Sequence, residues 1–231
     1  MILVMASDFD NLEDDLSGFL RTGKEYANET VIYMTCVNNQ PVIFANGGET
    51  KVNLSRSLAN IKTIYPVTSV IGIGNGASLN QEKGNVGDIF LCESSLQYDV
   101  NFMPLGHAQG VVPELSKAIF NSSSELTDTA KTACNIKGLD CMCGKAISAD
   151  RFVAFTIDSK QLKDEFNADF IDTESGTLGE LAYICKIPFA IIKGISNFAD
   201  DNAVIDYREY KNKANLNSLN VTLNVLDLLT K

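Results

Sequence analysis

The sequence predicts an α/β fold, and three observations carry that prediction. Short apolar runs of strand length recur along the chain, as in Ile2 to Ala6, Thr68 to Ile73 and Phe189 to Ile195. Stretches with helical spacing separate such runs. The clearest case is residues 169 to 200, where Leu178, Leu181, Ala182 and Cys185 fall at i, i+3, i+4 and i+7 between the apolar runs Phe170-Ile171 and Phe189 to Ile195. That unit reads as strand, helix, parallel strand with a right-handed connection, so both strand ends open on one edge of the sheet. Ligands of open α/β sheets bind at that edge. Polar residues follow each run, Asp172-Thr173-Glu174 and Ser196-Asn197. Glu174 and Asn197 are therefore expected to face one pocket. The plainer alternative is a helix-terminal Glu and a turn Asn, both in water.

The remaining elements follow in order. Ile2 to Ala6 is a buried strand, and Leu12, Leu16, Phe19 and Leu20 give a helical face that Gly23 stops. Asp8 and Asp10 lie at the junction, able to cap the helix or to face the pocket. Thr30 to Val37 and Val42 to Ala45 form a hairpin across Asn38 to Pro41, and Lys51 to Ile61 is a helix. Thr68 to Ile73 runs into Gly74 to Ser78, expected as a glycine-rich turn that lets backbone approach a ligand. It carries neither a phosphate-loop Gly-Lys-Ser/Thr nor the dinucleotide glycine spacing. Val86 to Cys92 is a strand, and residues 97 to 113 form a long connection of the kind that serves function or an interface. It holds the chain's one histidine, His107, with no nucleophile motif nearby, which favours a binding or interface role. Pro113 to Phe120 and Ser124 to Thr132 are expected as helices, the second solvated. Asp140 to Ser148 is a strand, Asp158 to Phe166 a short helix and Ala203 to Lys231 a terminal helix.

Composition narrows the function. The chain has 231 residues, a comfortable length for one α/β domain spanning 1–231, and shows no repeat or linker. A net charge of −10 argues against a nucleic-acid partner, whose phosphates must be neutralised. No apolar run approaches membrane-span length, so no membrane role is expected. Met1 to Ala6 lacks the basic n-region of a signal peptide. With no targeting signal, the six cysteines read as reduced and structural, which fits a cytoplasmic location. Cys141 and Cys143 have strand spacing, and a single histidine argues against a metal site.

Four segments in unbroken order resemble the nucleoside phosphorylase family, most closely its methylthioadenosine/S-adenosylhomocysteine nucleosidase branch. They are Met5 to Asp10, Gly74 to Ser78 with Val86-Gly87-Asp88, Ser148 to Val153, and Glu174 to Asp200. The branch reads Ser-Gly-Asp-x-Phe, Glu-Met-Glu and Ile-Ser-Asp-x-Ala-Asp. This chain has Ser148-Ala149-Asp150-Arg151-Phe152, Asp172-Thr173-Glu174 and Ile195-Ser196-Asn197-Phe198-Ala199-Asp200.

The resemblance implies a three-layer α/β/α sandwich around a mixed, partly barrel-like sheet, a homodimer, no cofactor, and cleavage of a purine N-glycosidic bond in a small-molecule nucleoside. Glu174 would hold the ribose hydroxyls beside Thr173, Phe152 would stack on the base, and the Val153 backbone would bond its edge. Asn75 and Ala77 would line the ribose and water side. Asp10, four residues after Ala6, would activate the water. Leu105, His107 and Pro113 would reach across the dimer to cover the 5′-substituent. The departures are Thr173 for Met, Glu49 at a usually apolar position, Asp10 for Glu and Asn197 for the purine-protonating Asp. An Asn at 197 leaves three readings open: a slowed nucleosidase, a nucleoside-binding protein without catalysis, and an enzyme of 6-oxopurine nucleosides. No arginine adjoins Gly74 to Ser78, which favours water over phosphate as acceptor, although Lys51 keeps a phosphate site open.

Overall fold

The computed structural model describes residues 1–17 and 23–230. Phe19 and Leu20, expected on the first helical face, lie outside the described residues, as does Lys231. The chain runs β1 (Ile2–Ala6), α1 (Leu12–Ser17), β2 (Gly23–Ala27), β3 (Thr30–Val37), β4 (Gln40–Asn46) and α2 (Lys51–Ile64). It continues through β5 (Ser69–Ser78), β6 (Ile89–Gln97), β7 (Phe120–Asn121), α3 (Ser124–Lys137) and β8 (Cys141–Ser148). It ends with α4 (Thr156–Phe166), β9 (Phe170–Asp172), α5 (Ser175–Cys185), β10 (Phe189–Asn197) and α6 (Ala203–Leu229).

Strand alternation builds the three layers. Leu3 and Met5 of β1 face a core shared with α2 and α5, while Val4 and Ala6 face one shared with α1, α3 and α6. The sheet is mixed, in the order β10-β6-β8-β9-β5-β1-β4-β3-β2, and a further β10–β5 pairing closes five of its strands into a ring. Helix α4 packs Leu162 and Phe166 against Ala77, Leu96 and Ile147 in a third cluster. Asn38 and Asn39 both take positive φ in the β3–β4 turn, the backbone a tight hairpin demands. Among the described residues no helix is long and apolar enough to cross a membrane.

Several expectations are corrected. β9 and β10 are not parallel neighbours: β9 lies between β8 and β5 and runs antiparallel to β5, whereas β10 runs parallel to β5. Gly74 to Ser78 is not a turn, because β5 continues through it. Its glycines serve close approach instead. A Cβ on Gly76 would sit 2.6 Å from the Phe170 ring, and Gly74 takes φ +141 against Ser7 and Lys193. Strand β6 starts at Ile89, after a turn at Asn85–Asp88. Residues 113 to 120 are not helical, since Ser116 at φ +48 breaks any helix there and Val112 bridges Lys117. Helix α3 is not solvated: Leu126, Ala130, Ala133 and Cys134 are buried. Gly23 opens β2.

Candidate active site

The ends of β1, β5, β9 and β10 converge on a cleft of about 250 Å³. The chain after β8 and the first part of α6 close its sides with Phe152, Val153 and Tyr207. Asn75, Ala77, Phe152, Val153, Thr173, Glu174 and Asn197, all expected from sequence, line it together. Glu174 and Asn197 do share one cavity, although the parallel unit expected to bring them there does not exist. The barrel closure does it instead: β10 lies on β5, with Asn197 in register with Ala77 and Lys193 with Gly74, and β9 lies on the other edge of β5.

Glu174 precedes α5 but does not cap it. Asp172 takes that work: one of its oxygens accepts the backbone N–H groups of Glu174 (3.2 Å) and Ser175 (2.9 Å), and the other accepts the Ser175 hydroxyl (2.5 Å). The Glu174 carboxylate is thereby free to serve the cleft. It accepts from Lys193 Nζ at 2.9 Å and from the Thr173 hydroxyl. Lys193 also donates to Ser7 Oγ at 2.7 Å and lies 3.6 Å from Asp172. All three charged groups are almost wholly buried. Burial disfavours the Lys193 ammonium, but Glu174 and Asp172 outweigh it and raise its pKa. Burial pushes the Glu174 carboxyl up to about 7; Lys193 pulls against that shift and Asp172 adds to it.

Asn197 is buried, and its amide orientation follows from one neighbour. The Ala199 backbone N–H can only donate, so the atom 2.9 Å away is Oδ1. The NH₂ group donates to Ser196 Oγ at 2.9 Å, and its second hydrogen remains for the cleft. Ser196 Oγ lies 3.0 Å from Asn75 Oδ1, and Asn75 Nδ2 donates to Asp8 at 2.7 Å and to Asn215 at 3.0 Å. A chain of hydrogen bonds thus links Asn197 to Asp8. Phe152 is half exposed and meets the Tyr207 ring edge-on, centroids 5.3 Å apart.

The acid at the end of β1 is corrected. Asp10 lies outside the cleft, its side chain 61% exposed and bound to Lys211 at 2.6 Å, which holds its carboxyl below the usual range. Asp8 lines the cleft. The reason is local: Asp8 adopts φ +59, and the buried Phe9 anchors the next residue so that Asp10 points out. The Asp8 carboxylate accepts from Asn75 and, at 2.8 Å, from the Tyr207 hydroxyl, with Lys211 3.5 Å away. Asn215 holds its backbone carbonyl at 2.7 Å. Glu49 also lines the cleft. Its carboxyl is raised by burial and by Asp8, which lies within hydrogen-bonding reach.

Leu105, His107 and Pro113 do not line this chain's own cleft; Leu105 is 74% exposed on a short turn, Met103–Leu105. Lys51 is engaged by Asp99 at 2.5 Å, so it is not a free cation. Sequence reasoning missed Lys193, Asp172 as cap and Tyr207. Lys193 had a signal, a lone charge within the apolar run Phe189 to Ile195, which must find buried partners. Tyr207 had none beyond its place on a helix. Among the described residues no cluster of metal-ligating side chains occurs.

The family model for the phosphorylase superfamily matches residues 2–229. A 5′-methylthioadenosine/S-adenosylhomocysteine nucleosidase from Buchnera aphidicola subsp. Baizongia pistaciae is 30% identical over 200 residues, 86% of this chain and 79% of the relative. The futalosine hydrolase of Helicobacter pylori superposes with a TM-score of 0.91 at 21% identity, over 98% of this chain and 97% of that one. An Asp-to-Asn variant of the Helicobacter pylori 5′-methylthioadenosine/S-adenosylhomocysteine nucleosidase, with 5′-methylthioadenosine in its active site, superposes equally well, at TM-score 0.91 and 21% identity over 98% of both chains.

Proposed function

The chain belongs to the phosphorylase superfamily, in its 5′-methylthioadenosine/S-adenosylhomocysteine nucleosidase branch, and from that premise we propose that it hydrolyses 5′-substituted purine nucleosides slowly, because an amide stands at position 197. As an enzyme it is of the N-glycosyl hydrolase type. The observation that carries the reading is the division of labour at the start of α5: Asp172 caps the helix, leaving a buried Glu174 carboxylate to accept both ribose hydroxyls. Phe152 stacks on the purine, and the Val153 backbone and the Asn197 NH₂ bond its edge.

In the reaction the C1′–N9 bond breaks and its electron pair goes to the purine. A water oxygen bonds C1′ and gives its proton to Asp8, which takes the role first expected of Asp10. Glu174 stabilises the positive charge developing on the ribose. Asn197 donates a hydrogen bond to N7 but cannot transfer its proton, so the departing purine must be protonated from bulk water. Loss of a general acid costs roughly 10²–10⁴-fold in rate. Substrate held intact is also what the Asp-to-Asn variant of the Helicobacter pylori enzyme carries. Water is favoured over phosphate as acceptor because the cleft is lined by Asp8, Glu49, Asp172 and Glu174 while Lys51 pairs with Asp99.

Two copies form the working unit in this reading. Phe102, Met103 and Leu105 are exposed apolar residues on one connection, and with His107 and Pro113 they would cover the partner's cleft. A second reading keeps the site but changes the base: the N–H of Asn197 not donated to Ser196 also suits O6 or N7 of a 6-oxopurine. Chromatography of methylthioadenosine and inosine incubated with the protein, with and without phosphate, tests all of this. Free adenine without phosphate supports the proposal. Faster release of hypoxanthine supports the second reading, sugar phosphate makes the protein a phosphorylase, and stoichiometric binding without any cleavage makes it a binder.

A further inference from the structure

The wall of the cleft formed by Asp8, Glu49 and Tyr207 has a chemistry that the hydrolysis itself does not need. Its polar groups are chiefly acceptors. Asp8 and Glu49 are carboxyls side by side. The Tyr207 hydrogen is committed to Asp8 at 2.8 Å, so its oxygen offers only lone pairs to a ligand. The cations nearby are too few to neutralise the wall: Lys211 is divided between Asp10 at 2.6 Å and Asp8 at 3.5 Å, and Arg151, the one basic side chain among the described residues lining the cleft, is engaged by Asp158. Asp8 already accepts from Asn75 and Tyr207 on one oxygen and has Lys211 near the other. Glu49 has the Asp8 carboxyl within hydrogen-bonding reach and Lys211 at longer range, and it accepts from no backbone N–H or hydroxyl among the hydrogen bonds of the described residues. It also feels burial and the Asp8 charge, which together raise its pKa. A ligand group reaching it would be the donor it lacks.

This step rests on the nucleoside reading above. With the purine between Phe152 and Asn197 and the ribose hydroxyls on Glu174, the 5′-substituent is the remaining part of the ligand. Glu49 is the cleft carboxyl left without a role. We propose that Glu49 selects the 5′-substituent, favouring nucleosides whose 5′ position carries a hydrogen-bond donor or a cation, an amine above all, over those with an apolar thioether or an anion. A charge-assisted hydrogen bond at the cleft wall gives such a preference its strength. A thioether sulfur offers no hydrogen to either carboxyl and would desolvate them without return. An anionic substituent would meet like charge.

Binding rather than turnover is the readout, because cleavage is expected to be slow. Calorimetry would compare 5′-amino-5′-deoxyadenosine with 5′-methylthioadenosine on the full-length protein, its Glu49→Leu variant and its Glu49→Gln variant. The wild type should bind the amine about tenfold more tightly. Glu49→Leu should reverse that order, and Glu49→Gln, which keeps the shape and a neutral acceptor, should narrow the gap and serve if Glu49→Leu does not fold. A wild type that prefers the thioether, or a ratio that moves in neither variant, overturns the assignment of Glu49 while leaving the nucleosidase reading intact. Failure of every protein to bind either nucleoside overturns both.

Discussion

The two halves of the cleft handle charge in opposite ways. On the side proposed to hold ribose and base, Asp172, Glu174 and Lys193 are almost wholly buried, and each has its partners: two backbone N–H groups and a hydroxyl on Asp172, an ammonium and a hydroxyl on Glu174, three oxygens around Lys193. On the water side, Asp8, Asp10 and Glu49 share one ammonium, Lys211, and Asp10 is 61% exposed. Buried charge must be paired to exist at all. Charge at a half-open rim can be supplied in excess, because water covers the shortfall. The first arrangement fixes geometry, and the second leaves room for the chain to vary what it binds.

Breaking the buried half should have the largest effect. Lys193→Met removes the cation between two buried carboxylates and should cost about 3–5 kcal/mol of stability, read as a lowered urea midpoint. A loss below about 1 kcal/mol would mean that water reaches the pair and that the contrast between the halves is false. Next comes Asn197→Asp, which restores a group able to give its proton to N7. Turnover of methylthioadenosine should rise at least about tenfold with little change in affinity. An inert variant that still binds would point to Asp8 as the deficient partner. Glu174→Ala should weaken nucleoside binding by about tenfold; α5 stays capped by Asp172, but stability should fall because buried Lys193 loses its nearer carboxylate.

The same carboxyl gives a pH signature. Burial lifts Glu174 from 4.5 to about 7, so the folded protein holds this proton more tightly than the unfolded chain. Its contribution to stability is full below about pH 4.5 and falls as pH rises through about 7. Nucleoside binding should run the other way, because the ribose hydroxyls need the ionised form: affinity should climb as pH rises through about 7 in calorimetric titrations. The smallest effect belongs to the open half. Asp10→Asn should change stability by less than about 0.5 kcal/mol and leave turnover nearly unaltered, whereas Asp8→Asn should abolish most of it. Equal losses in the two variants would restore Asp10 as the base.

The sequence made the layers legible because strand and helix periodicities report which face is buried, as Leu3 and Met5 against Val4 and Ala6 show. It misplaced β9 beside β10 because a three-residue strand carries no direction of its own, and it takes the edge of β5 that β1 leaves free beyond Ile73. Most cleft residues were legible through the family resemblance, which preserves order along the chain. Asp8 was not, because its positive φ has no counterpart in a count of positions after Ala6. The bland account of Glu174 as a helix cap failed for a reason also invisible in one dimension: two acids stand near the start of α5, and only geometry says which of them caps.

That split has a bearing on how such a protein can change over generations. Where one acid both starts a helix and grips a ligand, altering the grip endangers the fold, and few substitutions survive. Here the anchoring acid and the acid proposed to grip are two residues apart; Asp172 alone accepts the first N–H groups of α5, while both acids lie beside Lys193. Position 174 can therefore change without unmaking the start of the helix, but only together with position 193, so a lineage carrying this arrangement would reach other sugars by paired substitutions.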